Sequence, residues 1–600
     1  MNATPRQPQE RKFRTGDGTE LFYRHWPAAG AESAGNPAAA APAKAIVLLH
    51  RGHEHSGRLQ HLVDELDLPD FAFFAWDARG HGLSPGDRGY SPSIATSVRD
   101  VDDFVRFLAA EYGLSIDNIA VIAQSVGAVL AAAWAHDYAP AIRCQVLASP
   151  AFKVKLYVPL ARPGLKLIQK VFGKFYVNSY VKARFLTHDP ERIRSYETDP
   201  LIARAIASHI LIGLYELSER IVADAQAIEV PTQLLISGAD FVVHRGPQDE
   251  FFESLGAPVK ERHLLPGFYH DTLGEKDRHL ATGLIRDFVL RNFAAPPQRR
   301  SLLAADRHGF TKMELDQLAK PLPWWTPKGL FYRMSRINLP LASHLSKGLR
   351  LGETTGYDSG STLDYVYRNQ PQGFPLIGRL IDKVYLESIG WRGIRIRKKH
   401  LEILIRRAIE ALRAAGAPVN IVDIAAGHGR YVLDALAGVV QPGDAVLLRD
   451  YSELNVDGGR ELIAKLGLAA VARFEKGDAF DRASLAALEP RPTLGIVSGL
   501  YELFPSNEMV GRSLAGLADA IPAGGYLLYT GQPWHPQLEL IARSLTSHRG
   551  LSAWVMRRRT QAEMDQLVAA AGFEKIDQLI DEWGIFTVSI ARRTDSRLTA

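Results

Sequence analysis

Ile119-Ala-Val-Ile-Ala-Gln-Ser-Val-Gly-Ala-Val129 decides the reading of the first half of the chain. An apolar strand, Ile119 to Ile122, runs into a sharp turn at Ser125 and then into a helix of small residues from Gly127 to Ala135. A serine on a strand-to-helix elbow projects its hydroxyl out of the sheet, and the next helix N-terminus aims backbone donors at it. The usual elbow is Gly-x-Ser-x-Gly; here Ala123 takes the first glycine's place, which adds only a methyl group. The pentad alone also suits an ordinary helix start, so its meaning depends on what stands on either side.

Upstream, the buried strand Ala45–Leu49 runs into His50-Arg-Gly-His-Glu-His-Ser-Gly-Arg58. Three histidines this close fit a metal site. The more economical reading is a turn whose Gly52 N–H is one oxyanion donor, with Val126 N–H as the other. A further strand, Phe71–Trp76, leads to Asp77-Ala-Arg-Gly-His-Gly-Leu-Ser84. Downstream, Pro231-Thr-Gln-Leu-Leu-Ile-Ser-Gly-Ala-Asp240 is a strand ending on an acid, and Gly267-Phe-Tyr-His270 supplies a histidine. These segments resemble the monoacylglycerol lipase and lysophospholipase branch of the α/β-hydrolases (serine aminopeptidase S33-like), over roughly residues 10–293. The resemblance implies Ser125 as nucleophile, His270 as its base and Asp240 as the orienting acid, in the chain order this fold uses. Arg51 stands where that family usually has glycine, and there it narrows the acyl pocket, meets an anionic substrate or points to solvent.

The 600 residues exceed one core and imply separate domains. A single cysteine, Cys144, excludes a disulfide framework and a cysteine-rich zinc site. The first fourteen residues lack the apolar core of a secretory signal, and no stretch approaches the ~20 apolar residues that span a bilayer. The expected location is cytoplasmic, peripheral at the inner membrane face. Ala28–Lys44, rich in alanine and proline, reads as a surface loop.

Between strand Gln145–Ala148 and Pro231 lies a cap insertion, about 150–228. Its Phe152–Thr187 stretch holds eight Lys/Arg and no acid, among aromatic and aliphatic residues that include Leu156, Tyr157, Val158 and Tyr180. An apolar face flanked by positive charge suits contact with anionic membrane; nucleic acid is not expected above a lipase-like pocket. Ala294-Ala-Pro-Pro-Gln-Arg-Arg300 marks a boundary, so the first domain is read as 1–295. A basic connector, 296–350, follows; its Lys320–Arg350 stretch has six Lys/Arg, no acid and Trp324-Trp325. Gly356–Asn369 and Gly390–Arg395 read as a lid or substrate platform for the domain 351–600.

In that domain the strand Val419-Asn-Ile-Val-Asp423 opens into Ile-Ala-Ala-Gly427-His-Gly429 and a helix. Glycines at such a turn let backbone approach a nucleotide-like ligand closely. The next strand ends on Asp450, placed to accept from two ribose hydroxyls; Gly477-Asp478 follows a third, where an acid can bind an adenine amino group. The set resembles class I S-adenosylmethionine-dependent methyltransferases, with Ala425 in place of that family's first glycine. The resemblance implies S-adenosyl-L-methionine as cofactor, held by Asp423, Ala425, Gly427, Gly429, Asp450, Asp478 and Ser498. A dinucleotide-binding fold would end on a parallel sixth strand, whereas Gly572–Ile590 reads as a closing antiparallel hairpin. Tyr501 and Glu502, in the segment Ser498–Pro505 after the fourth strand, are candidates for the acceptor site.

The fold expected is α/β, with two doubly wound domains: an α/β-hydrolase with a helical cap and a Rossmann-like class I methyltransferase. The function expected is bifunctional, a serine ester hydrolase acting on small-molecule or lipid substrates joined to a methyltransferase. The alternative is one live enzyme fused to a dead lipid- or cofactor-binding module.

Overall fold

The computed structural model describes residues 5–29, 42–155, 161–179, 181–374 and 376–594, the side chain of Ala161 excepted. Most of the Ala28–Lys44 loop, and Leu156, Tyr157, Val158 and Tyr180 of the cap, lie outside them. The chain divides into two compact units, Met1–Arg300 and Ser301–Ala600.

Unit 1 is built on strands β1 (Gln9–Arg14), β2 (Glu20–Trp26), β3 (Ala45–Leu49), β4 (Ala72–Trp76), β5 (Ile119–Gln124) and β6 (Cys144–Ala148). After the cap come β9 (Thr232–Ser237) and β10 (Lys260–Leu265); the cap itself holds the short antiparallel pair β7 (Tyr176–Asn178) and β8 (Ala205–Ala207). The main sheet runs β1-β2-β4-β3-β5-β6-β9-β10, antiparallel at the β1, β2 edge and parallel from β4 onward. Strands β3 to β6 are buried along their whole length, as continuous apolar runs covered by helices on both faces must be. Parallel order sends every carboxyl end to one edge, and the turns there carry the expected site residues.

Unit 2 has strands β11 (Asn420–Asp423), β12 (Ala445–Asp450), β13 (Ala472–Lys476), β14 (Leu494–Val497), β15 (Tyr526–Gly531), β16 (Phe573–Ile580) and β17 (Thr587–Arg593). Their order is β13-β12-β11-β14-β15-β17-β16, with β17 antiparallel between β15 and β16. The last strand inserts beside β15 and no parallel sixth strand exists among the described residues, so the dinucleotide alternative is out.

The stretch expected as a connector is mostly helical, at Ala305–His308, Phe310–Ala319, Pro327–Ser343 and Lys347–Thr355, and from residue 301 it belongs to unit 2. Its anchor is a run the sequence presents as surface charge. Arg557, Arg558 and Arg559 are all buried. Arg557 donates to Glu563, Asn507 and Thr311; Arg558 donates to Glu314; Arg559 donates to Asn507 and the carbonyls of Tyr501 and Phe504. Thr311 and Glu314 lie on the second connector helix, which these arginines thereby tie to the sheet domain.

Candidate functional site

The elbow of unit 1 is strained where a nucleophile elbow should be. Ser125 has φ 55° and ψ −116°, a conformation that non-glycine residues rarely adopt. Its N–H donates to Ala148 O at 2.9 Å and its carbonyl accepts from Ala151 N at 3.1 Å, so neighbouring strand ends hold the strain. Gly127 is required: a Cβ there would lie 2.5 Å from His50 O and 2.7 Å from Leu49 O.

From this elbow Ser125 Oγ reaches His270 Nε2 at 2.7 Å, and His270 Nδ1 reaches Asp240 Oδ2 at 2.8 Å. The other Asp240 oxygen accepts the N–H groups of Val242 and Val243 at 2.7 and 2.9 Å. Burial works against the Asp240 charge, but His270 and these two donors hold its carboxyl below the usual carboxylate range. The row is complete, with Ser125 and His270 buried and the Asp240 side chain 7% exposed: a hydroxyl, a ring that can take its proton, and an anion that fixes the ring's tautomer. Gly52 closes on the same place, since a Cβ on it would come 3.1 Å from Val126 Cγ2.

The histidines around Gly52 are spoken for one by one. His50 Nδ1 donates to Arg51 O and its Nε2 accepts from Ala78 N; His53 pairs with Ala203 O, and His55 with Asp199. Arg51 neither faces solvent nor waits for an anionic substrate. It is buried, 2.8 Å from Glu54 and 3.8 Å from Asp271, with its guanidinium over the Tyr196 ring.

Arg51 belongs to a buried network behind the row that sequence reasoning missed. Arg58 and Arg51 share Glu54, while Arg192 and Arg51 flank Asp271. Gln124 Nε2 donates to Asp271 Oδ1 at 3.1 Å and to His270 O at 3.2 Å. Gln124 precedes the serine and Asp271 follows the histidine, so this contact sets the two reacting residues against each other. Adjacency to both was the one available signal. The Asp77–Ser84 motif is likewise a brace: Asp77 accepts from Ser56 N and Leu83 N, and Ser84 Oγ donates to Asp77 O.

In unit 2 the glycine turn has Gly427 at φ 59° and Gly429 at φ 73°, and a Cβ on Gly429 would lie 2.4 Å from Leu448 Cδ1. Asp423 is fully buried, takes bonds from Ala425 N and Tyr431 Oη, and is pushed up to about 7 by burial. Asp450 ends β12 as expected, but it already accepts three N–H groups. Gly427 N binds Oδ2 at 2.9 Å; Ser452 N and Asn455 Nδ2 bind Oδ1 at 2.9 and 3.0 Å. A carboxylate has about four acceptor positions, which leaves room for one ribose hydroxyl instead of the expected two. Asp478 accepts from Phe480 N, and the buried Ser498 Oγ has no partner among the described residues.

Helix Gly360–Arg368 lies over this turn: a Cβ at Gly427 would come 3.3 Å from Gly360 Cα, and Asp364 pairs with Arg430. Of the two acceptor candidates, Tyr501 turns into the core and bonds Ser513 at 3.0 Å. Glu502 faces a cavity lined also by Asp358, Leu363, Trp391 and Ile394, from the two segments of unusual composition.

The chain is 61% identical over 592 residues to the "Uncharacterized protein YnbC" of Escherichia coli (strain K12), covering 98% of this chain and 99% of that one. A monoacylglycerol lipase of Mycolicibacterium smegmatis is 24% identical over 253 residues, 42% of this chain and 89% of its own. The Paleococcus ferrophilus monoacylglycerol lipase structure aligns with 48% of this chain and 99% of its own, at 22% identity and TM-score 0.39. Residues 40–277 match the family model "Serine aminopeptidase, S33", and residues 285–593 match the model described as "Putative methyltransferase". The second match spans more than half of the chain, which therefore belongs to that methyltransferase family and carries in front of it an α/β-hydrolase domain of the S33 family.

Proposed function

We propose that the protein is a bifunctional enzyme, a serine ester hydrolase acting on lipid-like acyl esters in unit 1 and an S-adenosylmethionine-dependent methyltransferase in unit 2. The observation that carries the hydrolase reading is the Ser125–His270–Asp240 row at 2.7 and 2.8 Å on a strained elbow. His270 takes the Ser125 proton as the oxygen attacks the acyl carbon, and Asp240 steadies the charged ring. The N–H groups of Gly52 and Val126 are the assigned donors to the oxyanion. A fluorophosphonate probe tests this: intact mass should rise by one adduct in the wild type and stay unchanged in Ser125→Ala. Equal labelling of both sinks the assignment.

Unit 2 fits the cofactor in three respects: a turn whose positive φ values at Gly427 and Gly429 suit glycine, an acid with one acceptor position left, and a Ser498 hydroxyl without a partner among the described residues. Asp423, Ala425, Gly427, Gly429, Asp450, Asp478 and Ser498 are the residues assigned to hold it. When bound, S-adenosylmethionine supplies an electrophilic methyl group. Asp450→Ala should weaken its binding by about 1–3 kcal/mol, the cost of stranding a ribose hydroxyl. Calorimetry that shows no loss, or tight binding of a nicotinamide dinucleotide, rejects this half of the reading.

Peripheral contact with anionic membrane is also proposed. Among the described residues no helix is long and apolar enough to cross a bilayer. Cap helix Ala161–Phe172 nevertheless exposes Leu167, Ile168, Val171 and Phe172, the last at 78%. The basic run is less positive than its sequence suggests, because Arg162 and Lys166 pair with Glu219 and Glu216. The apolar face therefore carries more of the contact than charge does, each nearby lysine adding about 1 kcal/mol. The protein should co-sediment with anionic vesicles, less at high salt. The triple change Leu167→Asp, Val171→Asp, Phe172→Asp should release it while sparing hydrolysis of a soluble short-chain ester. Wild-type binding that ignores lipid charge contradicts the proposal.

A further inference from the structure

The carboxyl edge of the unit 2 sheet opens onto a cavity of about 930 Å³, counted out to its open mouth. Its wall follows the ends of β14 and β15, through Gly499 and Glu502 on one side and Gln532 and His535 on the other. Most of the lining is apolar, including Leu349, Trp391, Ile394, Leu540, Met556 and Phe586. Such a wall excludes water from a hydrocarbon chain.

The cavity's acids are engaged or beside a cation: Asp358 accepts from Ser547 Oγ and His548 N, and Glu502 lies beside Arg397. Among the described residues Arg397 Nε, Gln532 Nε2 and Trp554 Nε1 are buried with no acceptor, all three donors, and the Tyr385 hydroxyl, which can also donate, is buried without a partner. The Arg397 guanidinium is buried against the Phe586 ring, with Glu502 at 3.5 Å. Burial pushes the Glu502 carboxyl up, so the one acid beside that cation holds its proton more tightly than usual. His535 Nδ1 accepts from Gln537 N at 3.0 Å, and burial lowers the ring to about 4. The neutral ring then bears its hydrogen on Nε2, toward Gly390, whose missing side chain leaves that face open: a Cβ would stand 3.1 Å away. Buried donors without acceptors cost free energy that an oxygen anion recovers, and an amine or an alcohol would recover less.

We propose that this cavity is the acceptor site of unit 2 and that its ligand is a single-chain amphiphile with a carboxylate head. This rests on the methyltransferase reading above. It also places the two activities in sequence, because hydrolysis of an acyl ester releases that class of acid. A carboxylate oxygen taking the methyl group forms one C–O bond as the C–S bond breaks, its electron pair staying on sulfur, with no proton transferred.

A diazirine-bearing long-chain fatty acid tests the site on the full chain without cofactor. Peptide mapping should find crosslinks on peptides carrying Trp391, Leu540 or Met556. Laurate should compete them away at concentrations about tenfold or more below those needed for dodecanol or dodecylamine. Arg397→Gln should remove that preference; should it fail to fold, Gln532→Leu with Trp554→Phe removes two donors and no charge, and should narrow the preference. Absence of crosslinks from these peptides, or equal competition by all three amphiphiles, overturns the proposal. Calorimetry with S-adenosylmethionine on the same protein separates the two failures. A site that takes the acid in a chain that ignores the cofactor counts against the methyltransferase reading. Cofactor binding with no acid in the cavity counts against this proposal alone.

Discussion

Ser125→Ala should lower kcat for a short-chain ester by about three to six orders of magnitude, and His270→Ala should match it. The reason is that the row works as one unit. Without the hydroxyl there is nothing to acylate, and without the ring the hydroxyl keeps its proton at neutral pH. Pairing both changes in one chain should therefore cost little more than either alone. Asp240→Asn should be severe as well, since an amide opposite His270 Nδ1 favours the wrong tautomer. Both of its Val242 and Val243 contacts can survive on the remaining carbonyl oxygen, so the folded structure should persist while turnover falls. Steady-state kinetics with active-site titration measures this. A Ser125→Ala chain that keeps even a tenth of wild-type kcat would mean that another residue is the nucleophile.

Glu563→Ala should be among the most destabilising single changes in unit 2, by about 3–5 kcal/mol. Glu563 is buried and accepts from Arg557 through both oxygens, at 2.6 and 3.2 Å, and from Asn507 at 2.8 Å. Removing it leaves a buried guanidinium uncompensated, with Arg559 beside it. The Arg559 guanidinium is already lowered to about 10, by burial first and by its neighbour Arg557 second. Because Arg557 and Arg558 also hold Thr311 and Glu314, the helix Phe310–Ala319 should loosen with the rest. Denaturant unfolding checks the magnitude, and hydrogen exchange checks the helix. A loss under about 1 kcal/mol would show that the cluster behaves as a solvated surface pair.

These two cases mark what was readable in the sequence. Ser125 and Asp240 stand past the carboxyl ends of apolar strands and His270 past a mostly polar edge strand, in one chain order, and both strand ends and order are one-dimensional features. The glycine turn and Asp450 were readable for the same reason, as was the antiparallel ending of the second sheet, from its glycine-bounded alternating runs. Charge was not, because the environment of a charged side chain is set by partners far away in the chain. Arg557-Arg-Arg559 has the composition of a solvated run and is instead the buried knot of its unit. The cap lysines gave the opposite error, since Glu216 and Glu219, some fifty residues on, neutralise part of a stretch that contains no acid of its own. Arg51 failed the anionic-substrate and solvent readings because Glu54, three residues along, and Asp271, next to the catalytic histidine, enclose it. Of the acceptor cavity, Glu502 and the two segments of unusual composition were readable, but the cavity as a whole and its orphaned donors were not. It draws on segments from Leu339 to Phe586, and orphaned donors exist only once every other bond is known.

If each unit carries its own working centre, the two activities should fail separately in a crossed experiment. Ester turnover and S-adenosylmethionine binding would be measured side by side on the wild type, Ser125→Ala and Asp450→Ala. Ser125→Ala should lose turnover and bind the cofactor as the wild type does, while Asp450→Ala should turn over normally and bind it about 5- to 150-fold more weakly. Turnover that survives Ser125→Ala, or a wild-type chain that shows no cofactor binding, would contradict that separation.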